Sequence, residues 1–130
     1  MLVVDAANVV GARPDGWWRD RPGAAARLHE RLEGAVTSGV LVPPVVIVLE
    51  GAARGGVDAT ESPSSATTVC VVHARGSGDD TIVEIVAEII DRPAHVTVVT
   101  ADRDLRRRVD ALGAEVIGPR WLLDQLDDER

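Results

Sequence analysis

The sequence predicts an α/β domain on a mainly parallel sheet, and three observations predict it. Val-rich apolar runs alternate with stretches of helical periodicity, as in consecutive βαβ units. The runs are almost continuously apolar, which suits strands covered on both faces. Gly or Pro closes several of the helical stretches, where a chain must turn back toward the sheet.

Strands are expected at about 2–5, 44–50, 68–73, 95–100 and 114–117. An Ala- and Arg-rich helix at about 23–38, closed by Gly39, separates the first two. Residues 51–67, rich in Gly, Ala, Ser and Thr, read as a mobile loop of a length usually found functional or disordered. A helix at about 79–91 places Ile82, Ile85, Val86, Ile89 and Ile90 on one stripe, with Glu84 and Glu88 on a wet face, and Pro93 ends it. A helix at about 102–112 buries Leu105, Val109 and Leu112 and stops at Gly113. A short last helix, about 119–127, has Pro119 in its first turn and Trp121 directed to the core.

The 130 residues are most simply one domain, 1–130, with no internal repeat or boundary. Hydrophobic residues make up 45%, enough for a globular interior, and the only aromatics are three Trp. The first apolar run begins at Leu2, so no signal peptide is expected, and no run is long enough to span a membrane as a helix. The single cysteine, Cys70, forms no internal disulfide and lies in an apolar run as a buried thiol; the cytoplasm is the expected location. The net charge of −7 argues against a general nucleic-acid binder. All 14 basic residues are Arg, so chemistry that needs a P-loop, Schiff-base or receiver-type lysine is excluded.

Four acids stand where strands should end: Asp5, Glu50, Asp79 in GSGDDTI and Asp102 in TADRDL. In open parallel sheets ligands bind outside the carboxyl ends of the strands. Carboxylates gathered there oppose one another unless protonated or neutralised by a cation, and an all-oxygen set suits Mg²⁺ or Mn²⁺. Asp5, Asp79 and Asp102 are therefore the expected catalytic and metal-holding residues, joined at the metal by Asp104. Each also has a plainer use: Asp5 as a loop cap, Asp79 and Asp80 as first-turn acids behind a Ser77 capping box, Asp102 as an N-cap. Asp80, Thr100 and Glu50 are expected to support the site, Thr100 by orienting a carboxylate through its hydroxyl. Asn8 is expected to position a phosphate, a metal-bound water or Asp5 itself. Within GARPDGWWRDRPG, Arg13, Arg19 and Arg21 are candidates for holding phosphates, and Trp17 or Trp18 for stacking on a base. His29, His73 and His95 show no metal-ligand spacing and are read as structural.

The ordered set D-x-x-N, G-D-D-x-I and T-x-D-x-D-L resembles the PIN-like nuclease superfamily, and within it the NYN domains that include the bacterial YacP-like proteins. The resemblance runs from VVDAAN to the last strand. It implies a three-layer α/β/α fold, a five-stranded sheet in the order 3-2-1-4-5, and acids that bind Mg²⁺ or Mn²⁺ for RNA cleavage. Asp5, Asn8, Asp79, Asp102 and Asp104 match the motif positions; Glu50 departs from them, since Asp is common there. The expectation is a metal-dependent ribonuclease with RNA as its partner and no membrane. Self-association or a regulatory protein partner would be compatible with it. Two rival readings share the same fold: a nucleotide pyrophosphohydrolase using the same metal site, and a non-catalytic RNA- or protein-binding module.

Overall fold

The computed structural model describes residues 1–13, 16–61, 69–89 and 95–127. Five strands, β1 (Leu2–Asp5), β2 (Val45–Leu49), β3 (Val69–His73), β4 (Thr97–Val99) and β5 (Glu115–Ile117), form one sheet in the order β3-β2-β1-β4-β5. Every pairing is parallel. β1 and β2 lie between neighbours and read as unbroken apolar runs because both of their faces are covered.

The period of two along each strand divides the core between the faces. On one, Val4, Val45, Ile47, Leu49 and Val99 pack against α1 (Ala6–Gly11), α2 (Arg21–Thr37) and α5 (Pro119–Asp127), chiefly through Leu28, Leu32, Leu122 and Leu126. On the other, Val3, Val46, Val48 and Val98 meet Ile82 and Val86 of α3 (Gly78–Glu88) and Leu105 and Val109 of α4 (Arg103–Asp110). The expected three-layer α/β/α architecture and strand order are those observed.

Local differences have local causes. α1 was not expected: Ala6 and Ala7 favour a helix directly after Asp5, and the helix reaches only Gly11. α2 starts two residues early because Asp20 caps it, accepting the Gly23 N–H at 3.0 Å, with Pro22 in the first turn. Gly39, at φ 84°, reverses the chain beyond its end. The segment expected to be a loop opens with a 3₁₀ helix at Gly51–Gly56, and Thr60 is tied to Val71 of β3 through both its N–H and its hydroxyl. Residues 62–67 of that segment, Ile90 and Pro93 lie outside the described residues.

Two expectations about burial are corrected. Trp121 is not core: it is 37% exposed, because α5 turns Leu122, Leu123 and Leu126 inward and leaves the preceding position outside. Cys70 is half-buried, since β3 is an edge strand of the sheet. Of the other expected structural side chains, His73 donates a ring N–H to the Val57 carbonyl at 2.7 Å and His29 pairs with Glu33 one turn along α2. No helix among the described residues is long and apolar enough to cross a membrane.

Candidate active site

After β1 the chain builds outward through β2 and β3, then returns to place β4 on the other side of β1. The carboxyl ends of β1 and β4 thus flank the point where the winding reverses, the usual crevice for a ligand in this class of sheet. Asp5 ends β1, and Thr100 follows β4. The alternation that turns Val3, Val48 and Val98 toward α3 and α4 carries two residues further to Asp5, Glu50 and Thr100. The acids at the starts of α3 and α4 come from that same side.

Asp5 is 3% exposed and its carboxylate is held by two side chains. Thr100 donates its hydroxyl to Asp5 Oδ2 at 2.8 Å, and Asn8 donates its amide N–H to the same oxygen at 2.7 Å. Both donors are anchored in turn. Thr100 Oγ1 accepts the Asp102 N–H at 3.1 Å, and Asn8 Oδ1 accepts the Ala101 N–H at 3.3 Å. A buried carboxylate therefore locks the start of α1 to the β4–α4 turn, and the role of Asn8 seen here is to position Asp5. Burial pushes the Asp5 pKa up; the Thr100 and Asn8 hydrogen bonds pull it down, and the Glu50 charge raises it further.

The two helix starts use their polar residues differently. Ser77 caps α3, its Oγ accepting the Asp80 N–H at 3.2 Å. This leaves Asp79, in the first turn, without a hydrogen-bond donor from any described residue. Asp102 caps α4 itself, accepting the Leu105 N–H at 3.0 Å. Glu50 also reaches α3, where its Oε2 accepts the Gly78 N–H at 2.8 Å. A Cβ at Gly78 would stand in ordinary contact with the Glu50 carboxyl group, 3.4 Å from its carbon, so the bond is made to the backbone and does not require glycine. The Asp79 pKa is pushed up to about 6, first by burial, then by the charges of Asp102, Asp5 and Glu50, with Arg108 opposing. Carboxylates from three other segments thus act on Asp79, and Glu50 also acts on Asp5.

A hard divalent cation fits this donor set, which is all oxygen and self-repelling. Among the described residues, no three His, Cys, Asp or Glu side chains already stand close enough to enclose an ion. Mg²⁺ is commonly held by one or two carboxylates, with waters and substrate phosphate oxygens completing its shell. Asp5, Asp79 and Asp102 thus do not form the three-carboxylate cage expected of them, and an ion here would take one or two of them at a time.

Other expected site residues lie elsewhere or have partners. Asp104 is exposed and paired with Arg107 one turn along α4. Asp80 pairs with Arg108 at 3.0 Å, tying α3 to α4 beside the crevice. Arg13 is bound to Asp127 at 2.7 Å, which also takes Arg31 at 2.9 Å; these two hydrogen bonds hold the Asp127 carboxyl below the usual range. Trp17 and Trp18 meet edge to face at 6.1 Å, with Arg21 over the Trp17 ring at 5.4 Å and Arg19 over Trp18 at 6.0 Å. Trp18 is 53% exposed, whereas Trp17 is half-buried. Sequence reasoning missed the Gly78 N–H as the seat for Glu50, a contact across 28 residues with no local signal. It also missed the Arg31–Asp127 pairing, for which 96 residues of separation leave no local signal.

The model of the YacP-like NYN domain family matches residues 2–130. The fold is similar to that in a crystal structure of Rae1 (YacP) from Bacillus subtilis, with a TM-score of 0.76 and 19% identity over 99% of this chain and 74% of that one. A tryptophan-to-leucine mutant of the same protein gives a TM-score of 0.72 and 17% identity over 98% and 74%. No match was found among curated proteins. With the family pattern covering all but the first residue, and the sheet order and crevice in place, this chain belongs to the YacP-like NYN domain family.

Proposed function

We propose that the protein is a metal-dependent ribonuclease that hydrolyses phosphodiester bonds at the crevice between β1 and β4. The observation that carries this reading is geometric: Asp5 and Glu50 at the carboxyl ends of β1 and β2 and Asp79 and Asp102 at the starts of α3 and α4 gather at one side of the crevice. Such crowding is tolerated when a cation or a proton offsets it. A bound Mg²⁺ or Mn²⁺ would stabilise charge on the scissile phosphate and lower the pKa of an attacking water.

The chain's own residues supply the rest. Asp5, fixed by Thr100 and Asn8, presents a carboxylate whose orientation is set before substrate arrives. Asp79, with no described hydrogen-bond donor, is the adaptable member, and Asp102 is steadied by its capping bond. The family's PIN-like kinship and the cluster of Trp17, Trp18, Arg19 and Arg21 favour RNA over a small substrate, since unpaired bases stack on aromatic and guanidinium planes. Arg13 is committed to Asp127, so phosphate holding falls to Arg19 and Arg21.

The test is incubation of the purified chain with structured and single-stranded RNA in Mn²⁺, alongside Asp5→Asn and Asp79→Asn. Cleavage by the parent and none by the variants is expected. Cleavage that persists in both variants sinks the assignment, and pyrophosphate release from nucleotides without RNA cleavage would replace it with the pyrophosphohydrolase reading.

A further inference from the structure

A cavity of about 330 Å³ opens beside the acid crevice, on the α1 and α2 side of the sheet edge. Its walls include Ala6, Ala7 and Val10 of α1, the Trp17 ring, Arg21 and Glu50. The volume is at the small end of the range of about 300–1,000 Å³ for small-molecule sites. The cavity adjoins the crevice through two residues: Ala6 follows Asp5 directly, and Glu50 contributes both to the cavity wall and to the charge around Asp79. Its polar groups are few and distinct. Arg21 lies over Trp17; no described donor reaches Glu50 Oε1, and Oε2, which accepts the Gly78 N–H, has a second lone pair, so the carboxylate can still accept two bonds.

We propose that this cavity takes one nucleobase of the strand being cut, guanine in preference to the other three. The apolar walls and the Trp17–Arg21 pair suit any base, because every base has a π face. The carboxylate selects among them. Guanine alone offers two adjacent donors, its ring N–H and exocyclic amine, on the edge that a carboxylate can face. Adenine and cytosine set a ring-nitrogen acceptor beside their single amine, and uracil flanks its N–H with two carbonyls; each would bring a lone pair against Glu50. The inference rests on the ribonuclease reading for its substrate class and adds to it the base that is recognised next to the cut.

Calorimetric titration of the full chain with GMP, AMP, CMP and UMP in excess chelator reads the cavity with chemistry switched off. GMP should bind at least about fivefold more tightly than the others. Glu50→Gln should bring GMP down to the AMP level, and Trp17→Ala should weaken all four at least about fivefold. Ala7→Leu alters an exposed wall position and should block all four nucleotides without disturbing the core. Equal binding of the four by the parent, or a GMP preference that survives Glu50→Gln, overturns the guanine assignment. Unchanged binding in both Trp17→Ala and Ala7→Leu overturns the cavity as the site. If the GMP preference holds while RNA in Mn²⁺ stays intact, the base site stands and the ribonuclease reading fails. Cleavage of RNA without any GMP preference removes the base site alone.

Discussion

The starts of α3 and α4 face one crevice with similar sequences, GSGDD and TADRD, yet they handle their acids in opposite ways. At α4 the aspartate is the cap, tied to the Leu105 N–H. At α3 a serine caps, and Glu50 takes the Gly78 N–H, so the local donors are used before Asp79 can claim one. Helix starts favour negative charge by about 0.3–1 kcal/mol, but Asp79 is partly buried beside three other carboxylates. The comparison shows that an acid's position in a first turn does not decide its role. What decides it is whether another side chain has already satisfied the helix end, which leaves the acid available for a ligand.

The largest effects should come from removing charge on both sides of this contrast. Asp79→Asn and Asp102→Asn are each expected to lower Mn²⁺-dependent RNA cleavage by about 100-fold or more, an effect comparable to losing one preorganised electrostatic group. Equal cleavage in the parent and in Asp79→Asn would mean that the uncapped acid is idle. Thr100→Val tests the link between the two starts. It removes the hydroxyl that serves both Asp5 and the Asp102 N–H, and should cost about 1–3 kcal/mol in denaturant unfolding. A neutral result would show that Asp5 is held by Asn8 alone. The caps themselves should be nearly equal in stability, about 1 kcal/mol for Ser77→Ala and for Asp102→Ala. Only Asp102→Ala should also lose cleavage, so a matching loss in Ser77→Ala would erase the distinction between a pure cap and a cap that holds ligand.

The smallest effect is in pH. Asp79 has a folded pKa of about 6, above its ordinary 3.8, so between these values the folded protein keeps a proton that the unfolded chain has shed. Stability therefore falls as pH rises through that window, and the penalty is complete above about pH 6. Asp79→Asn removes it. In chelator the variant should gain about 1 kcal/mol on the parent at pH 7.5, allowing for solvent screening, and the gain should vanish toward pH 4. A difference that stays constant across that range would contradict the crowding of the four acids.

Much of the fold could be read along the chain because its signals are local. The Val-rich strands, the Ile82–Val86 stripe, Gly39 and Gly113 as stops, and Pro119 at the start of the last helix depend on neighbours a few residues away. Trp121 was misjudged because a bulky apolar residue suggests burial, while the Leu122, Leu123 and Leu126 face had already taken the inward side. α1 escaped notice because six residues are too few to show a period. In the site, the strand-end acids were visible as residue types, but their present partners were not. Asp104 and Asp80 match the same pattern as Asp102 and Asp79, and their pairing with Arg107 and Arg108 depends on which way each helix face turns.

By itself the sequence determined the α/β class, the placement of acids at strand ends and the absence of lysine chemistry, because periodicity and residue identity are properties of the chain alone. The tertiary structure decided which carboxylates act on Asp79, that no described donor reaches it, and that Glu50 lines both the crevice and the neighbouring cavity. Those outcomes rest on contacts between residues far apart in sequence, such as Thr100 with Asp5 across 95 positions, and a hydrogen bond at 2.8 Å forms only once the sheet has brought both strand ends together.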